Sequence, residues 1–144
     1  LWYGVDHLNF YLRVDFQSGA KPGKEIPPEL RLLWYYPNQQ MCNSPIHLLD
    51  LPDEAPVNYF YHHQLGINLL TRSIWFQEAR ENHEWRARTS RAQVALDSCL
   101  EIAIPWTDLP TEPDWSLRLM LVLADAGRYR DSVPDGGLIP ISVP

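Results

Sequence analysis

Thirteen prolines stand against only seven glycines in a chain of 144 residues, and they gather at Pro22 to Pro28, Pro37 to Pro45 and Pro52 to Pro56. Proline lacks the N–H that a helix interior needs and its ring collides with the preceding turn, so the first half holds no long helix. Short alternating runs remain between the prolines. In "LNFYLRVDF", Leu8, Phe10, Leu12, Val14 and Phe16 fall on one side and Asn9, Tyr11, Arg13 and Asp15 on the other. That is the period of a half-buried strand. "LRLLWYY" (Leu30 to Tyr36) repeats the pattern with an aromatic end, and "VNYFYHHQ" (Val57 to Gln64) reads as a strand aromatic on both faces. "INLLTRSIWFQEARE" can be drawn as an amphipathic helix, but Thr71, Ile74, Trp75 and Phe76 favour strands around Ile67 to Leu70 and Ser73 to Gln77, with a turn at Glu81 to Asn82.

The stretch "ALDSCLEIAIPWTDLPTEPDW" carries a register choice. A two-residue loop at Asp97-Ser98 sets Val94 opposite Glu101, whereas a three-residue loop, Asp97-Ser98-Cys99, sets Leu96 opposite Leu100 and Val94 opposite Ile102. Only the second makes one whole face apolar, and it turns Glu101 outwards. Pro105 ends the strand; Trp106 to Leu109 then form one turn capping the sheet, with Leu109 folded onto the core. "SLRLMLVLAD" is apolar on nearly every position, which predicts a central strand covered on both faces. A last strand at Leu138 to Val143 carries Pro140, a sign of a sheet edge. Eight or so short strands and at most one or two helical turns make an all-β chain, a two-sheet antiparallel β-sandwich of immunoglobulin-like or DOMON-like type.

The length suits one domain over residues 1–144. Leu1 in place of an initiator methionine predicts a segment of a larger protein. No apolar run approaches the ~20 residues that span a bilayer, and no signal peptide is evident. A net charge of −6 with scattered basic residues argues against nucleic acid. Cys42 and Cys99 are too few and too far apart for a disulfide scaffold. Two free thiols in a cytoplasmic protein is the expectation.

The strand "DHLNFYLRVDF", the strand "CLEIAIPWTDL" and the run into "LADAGRYRDSVPD" resemble a group of β-sandwich accessory domains. The group includes the domain that follows the catalytic part in glycoside hydrolase family 57, family 9 carbohydrate-binding modules and DOMON-like domains. "INLLTRSIWFQEA", "EWRARTSRAQVAL" and "LIPISVP" are similar to the C-terminal region of family 57 proteins. The resemblance implies a non-catalytic accessory domain of an α-glucan-active enzyme, packed on the catalytic domain of the same polypeptide, with α-glucan as a candidate ligand. It supplies no catalytic residue here. The alternative is a stand-alone β-sandwich interaction module without sugar affinity.

Six tryptophans and seven tyrosines are the most suggestive residues, because aromatic faces stack on sugar C–H groups. Trp34 and Trp75 read as core and Trp106 as a seal on the sandwich end. Trp85, Trp115, Tyr35 and Tyr61 are the candidates for a sugar platform. In "VNYFYHHQ" one aromatic face must be covered, which makes Phe60 and His62 candidates for docking the catalytic domain. No cofactor is expected. His62 and His63 are strand neighbours pointing to opposite faces, and Met41 and Met120 lack the context of a haem site. The loop of Asp125, Asp131 and Asp135 does not fit an EF-hand. Glycoside hydrolysis needs two carboxyls across a cleft, and pairing Glu101 with Asp108 or Asp125 has no support in their spacing.

Overall fold

The computed structural model describes residues 1–39, 43–53, 56–109 and 116–144. Its first strands are β1 (Trp2–Val5), β2 (Asn9–Asp15), β3 (Glu29–Tyr35), β4 (Ser44–Pro45) and β5 (Phe60–Tyr61). Then come β6 (His63–Asn68), β7 (Ile74–Arg80), β8 (Glu84–Arg88), β9 (Gln93–Leu96) and β10 (Cys99–Pro105). The chain closes with β11 (Leu117–Asp125), β12 (Arg128–Val133) and β13 (Ile139–Ile141). The only helical elements among the described residues are two three-residue 3₁₀ turns, Pro56–Asn58 and Glu81–His83. The fold is all-β and antiparallel, as the alternation predicts, but more finely divided than eight strands. No helix among the described residues is long and apolar enough to cross a membrane.

A four-stranded sheet runs β1-β2-β10-β9, and a seven-stranded sheet runs β12-β11-β3-β6-β7-β8 with β13 also paired to β11. The two share one core. Phe10, Leu12, Leu100, Ile102 and Ile104 come from the small sheet, and Leu30, Leu32, Trp34, Leu65, Ile67, Phe76, Leu119 and Leu121 from the large one. Leu96 lies opposite Leu100 and Val94 opposite Ile102, so the three-residue loop is the one adopted. Leu109 is fully buried against this core, as the capping turn requires.

A second apolar cluster lies on the far face of the large sheet. Leu33, Met120, Val122 and Ala124 point there, and Ile46, Leu48, Val57 and Tyr61 from the segment between β3 and β6 cover them. That explains why β11 is apolar at almost every position: it is buried on both faces. On the same far face the Trp75 ring lies over Gly66, where a Cβ would stand 1.9 Å from Trp75 Cε2. Arg31 stacks on the ring, 5.2 Å from its centre.

The aromatic stretch from Val57 differs from a single strand. It is a 3₁₀ turn, then the two-residue β5, then β6 from His63. The turn lets Tyr61 enter the second cluster while Tyr59 and Phe60 stay outside. The last strand is likewise shorter than expected, Ile139–Ile141, with Pro140 opposite Arg118 on β11.

Candidate functional site

Among the described residues the small sheet has no second layer over its outward face. Strict alternation in β2 and β10 sends Phe10, Leu12, Leu100 and Ile102 inwards and leaves Tyr11, Arg13, Glu101 and Ala103 outwards. Because β2 and β10 pair along their length, the outward residues fall into rows across the sheet. One row reads Trp2, Arg13, Glu101, Ala95; the next reads Gly4, Tyr11, Ala103, Gln93. With strands about 4.8 Å apart, four of them span about 14 Å. Gly4, Ala95 and Ala103 keep this surface low while larger side chains stand around them. The result is an open trough of about 570 Å³.

Trp2 is 70% exposed and Tyr11 40%, and both line the trough. Their setting is held from below. Asp6 Oδ1 accepts the Leu8 and Asn9 N–H groups, each at 2.7 Å, which closes the turn between β1 and β2. Those two backbone bonds hold the Asp6 carboxyl below its usual range. Its Oδ2 accepts the Tyr11 hydroxyl at 3.0 Å, and the Tyr11 oxygen in turn accepts from Asn9 Nδ2 at 3.0 Å. The Trp106 indole donates to the Asp6 carbonyl at 2.7 Å, so the expected seal on the sandwich end also braces this turn.

Polar groups of both kinds stand beside the aromatic rings. Arg13 Nε bonds Asp15 Oδ1 at 2.8 Å; the pair lowers the Asp15 carboxyl, with a side-chain hydrogen bond from Trp2 adding to it, and raises the Arg13 guanidinium. Glu101 faces Arg13 across the strands and is exposed, and no hydrogen bond or ion pair to its carboxylate occurs among the described residues. Gln93 sets its amide at the far side, with no hydrogen-bond partner among the described residues. An arginine, a carboxylate and an amide beside two aromatic faces suit a neutral polyhydroxyl ligand: hydroxyls both donate and accept, and C–H faces stack.

The trough is not built for acid–base chemistry. Asp15 and Glu101 lie diagonally on neighbouring strands, yet Asp15 is held ionised by Arg13 and the surface is open to water. A glycosidase needs one carboxyl kept protonated by its surroundings. Nor do Asp108 and Asp125 converge on Glu101. Asp108 accepts from Ser90 Oγ and the Arg91 N–H, both at 2.7 Å, at the sheet end; Asp125 ends β11 in the other sheet and pairs with Arg130 at 3.6 Å. Asp131 accepts its neighbour's N–H, from Ser132, at 2.8 Å. No three His, Cys, Asp or Glu side chains gather in a metal-holding group among the described residues.

Residues singled out from the sequence are dispersed. Tyr61 is fully buried and donates to Met120 Sδ at 3.6 Å, so it cannot form a platform; it anchors the covering segment. Trp85 is half-buried in the same cluster, and its indole N–H is taken by the Pro45 carbonyl at 3.1 Å. His62 is 1% exposed and accepts the Tyr36 N–H at Nδ1, 3.1 Å, so it is a core residue and not half of a docking pair. Burial lowers its pKa. Phe60 does reach the surface, 44% exposed, and Tyr35 lines a shallow pocket beside it. Trp115, Met41 and Cys42 lie outside the described residues.

Trp2, Tyr11, Arg13 and Gln93 were not candidates on sequence grounds, and Glu101 was weighed only as a glycosidase carboxyl. The outward turn of Tyr11, Arg13 and Glu101 was readable from alternation, but joining them needed the pairing of β2 with β10, some ninety residues apart. Two of the segments that carry the family resemblance, "DHLNFYLRVDF" and "CLEIAIPWTDL", are therefore neighbouring strands under the trough. The fold and site together define an antiparallel β-sandwich with an aromatic-rimmed trough on its smaller sheet. Comparison with family models, with curated proteins and with solved structures finds no match to the chain.

Proposed function

We propose that the chain is a non-catalytic accessory domain of a glycoside hydrolase family 57-like protein, and that its trough holds α-glucan beside a catalytic part elsewhere in the polypeptide. The observation that carries the reading is the trough itself: Trp2 and Tyr11 exposed over a floor of Gly4, Ala95 and Ala103, with Arg13, Gln93 and Glu101 within reach. An outward sheet face with no binding role has no need of an exposed tryptophan, since polar side chains alone keep it soluble. The strand motifs that resemble the family add support.

Affinity electrophoresis through gels containing glycogen tests the reading. Retardation of the wild-type chain, lost in Trp2→Ala and reduced in Tyr11→Ala, is the expected result; equal mobility with and without glycogen contradicts it. A chromogenic maltooligosaccharide should not be turned over, and turnover abolished by Glu101→Gln would overturn the non-catalytic assignment.

A further inference from the structure

The far side of the molecule carries a second concavity. Tyr35, Asn43, Asn58, Tyr59 and Phe60 line a pocket of about 350 Å³ over the large sheet, on the covering segment. It is separate from the trough, and Tyr35 of its lining packs against the second apolar cluster beneath. Every described lining residue is uncharged. Tyr59 is 56% exposed, and Phe60 stands beside it.

The pocket is held in shape by contacts that do not use its open side. β4 and β5 pair through Ser44 with Tyr61 and Pro45 with Phe60. Ser44 Oγ donates to the Glu84 carbonyl at 3.2 Å, and the Trp85 indole bond to Pro45 adds a second tie to β8. The Phe60 ring packs on His83, centres 5.1 Å apart, and His83 Nδ1 lies 3.1 Å from the Asn43 carbonyl. Tyr35 leans on His62 at 5.6 Å. The Asn58 amide donates to the Pro52 carbonyl. The Tyr35 and Phe60 rings and the Asn58 amide are thus positioned before any ligand arrives, which lowers the entropic cost of binding.

We infer that Tyr35, Asn43, Asn58, Tyr59 and Phe60 form a second binding site for a neutral sugar chain, on the opposite side of the sandwich from the trough. Three aromatic rings with two carboxamides match the stacking faces and hydroxyls of an uncharged saccharide. An anionic ligand would find no cation among the described lining residues. Protein-interface centres gather Tyr and Phe as well, but a concave site that sets two carboxamides beside its rings favours a saccharide over a protein surface. The ligand class rests on the reading of the trough as a glucan site. Two sheets about 10 Å apart plus the covering segment separate the sites, too far for one short oligosaccharide to fill both. The domain therefore takes two short chains independently and bridges two branches of a long one, with avidity exceeding either site alone.

Isothermal titration of the chain with maltoheptaose, paired with turbidity on mixing with glycogen, tests this. The expected stoichiometry is two for wild type, one for Tyr59→Ser/Phe60→Ser, one for Trp2→Ala, and no binding for the triple variant; turbidity with glycogen is lost in each single-site variant. Both altered surfaces are exposed, and an unchanged Tm confirms that the fold persists. A wild-type stoichiometry of one that Tyr59→Ser/Phe60→Ser leaves intact overturns the second site alone. If instead Trp2→Ala binds like wild type while Tyr59→Ser/Phe60→Ser abolishes binding, the trough reading fails and the second site stands. Absence of any binding by wild type overturns both.

Discussion

The outward faces of the two sheets differ in kind. On the large sheet that face is apolar and roofed: Leu33, Met120 and Val122 lie under Ile46, Leu48, Val57 and Tyr61. On the small sheet it is low and polar and has no cover among the described residues, with Gly4, Ala95 and Ala103 among Arg13, Gln93 and Glu101. A strand that is apolar at every position requires a cover on each side, and the chain spends its proline-rich segment supplying one. A strand that alternates strictly requires only the shared core, which leaves its other face available to a ligand. Exposed aromatic rings on such a face are then informative, whereas buried rings under the roof report packing alone.

The largest expected effect is on the roofed side. Tyr61→Ala removes a fully buried ring and its bond to Met120, and should destabilise the chain by about 3–5 kcal/mol in urea unfolding. A loss below about 1 kcal/mol would mean that the covering segment is loosely attached and the two faces are alike. Neighbouring residues of β10 sharpen the contrast within one strand. Ile102→Ala, on the core side, should cost about 2–5 kcal/mol. Glu101→Gln, on the trough side, should stay within about 0.5 kcal/mol.

Acid should act through the core beneath the roofed sheet. His63 is buried against Phe76, ring centres 5.7 Å apart and nearly parallel, and burial depresses its pKa from 6.5 to about 4, against the partial help of Glu78. Its folded form stays neutral where the unfolded form is already protonated. The unfolded state therefore binds more protons between those two values, and stability falls as pH drops from about 6.5 to about 4, levelling off for this group below that. The loss is of order 3 kcal/mol at most. In His63→Phe the slope of unfolding free energy against pH over that window should flatten; an unchanged slope would place the acid sensitivity elsewhere. The smallest stability effect belongs to the trough. Trp2→Ala should leave the unfolding midpoint nearly unchanged, within about 0.5 kcal/mol, because the ring is mostly in solvent.

Local pattern carries some of these features and not others. The apolar match of Val94 and Leu96 with Ile102 and Leu100 is a property of adjacent strands, so the hairpin register was legible. The double coverage of β11 was legible too, from its unbroken apolar run. Tyr61 was misplaced because aromatic residues on both faces of a segment suit a surface platform and a two-sided packing element equally well. Only the 3₁₀ turn at Pro56–Asn58 distinguishes them, by bringing Tyr61 and Val57 into the same roof. The trough failed to appear in sequence for another reason. Its rows cross four strands drawn from both ends of the chain, and the small residues that make it concave carry no signal until they are set side by side.

The trough's concavity depends on Ala103, in the middle of its floor and opposite Tyr11. Filling that position is therefore the most direct test. Maltoheptaose titrated into Tyr59→Ser/Phe60→Ser, which leaves the trough as the sole site, should give a saturable change in tryptophan fluorescence. Adding Ala103→Arg should weaken that binding at least about tenfold, a change of 1.4 kcal/mol, with the Tm unchanged. Equal affinity with and without the arginine, at equal stability, would contradict the claim that the bare face of the small sheet is where the sugar binds.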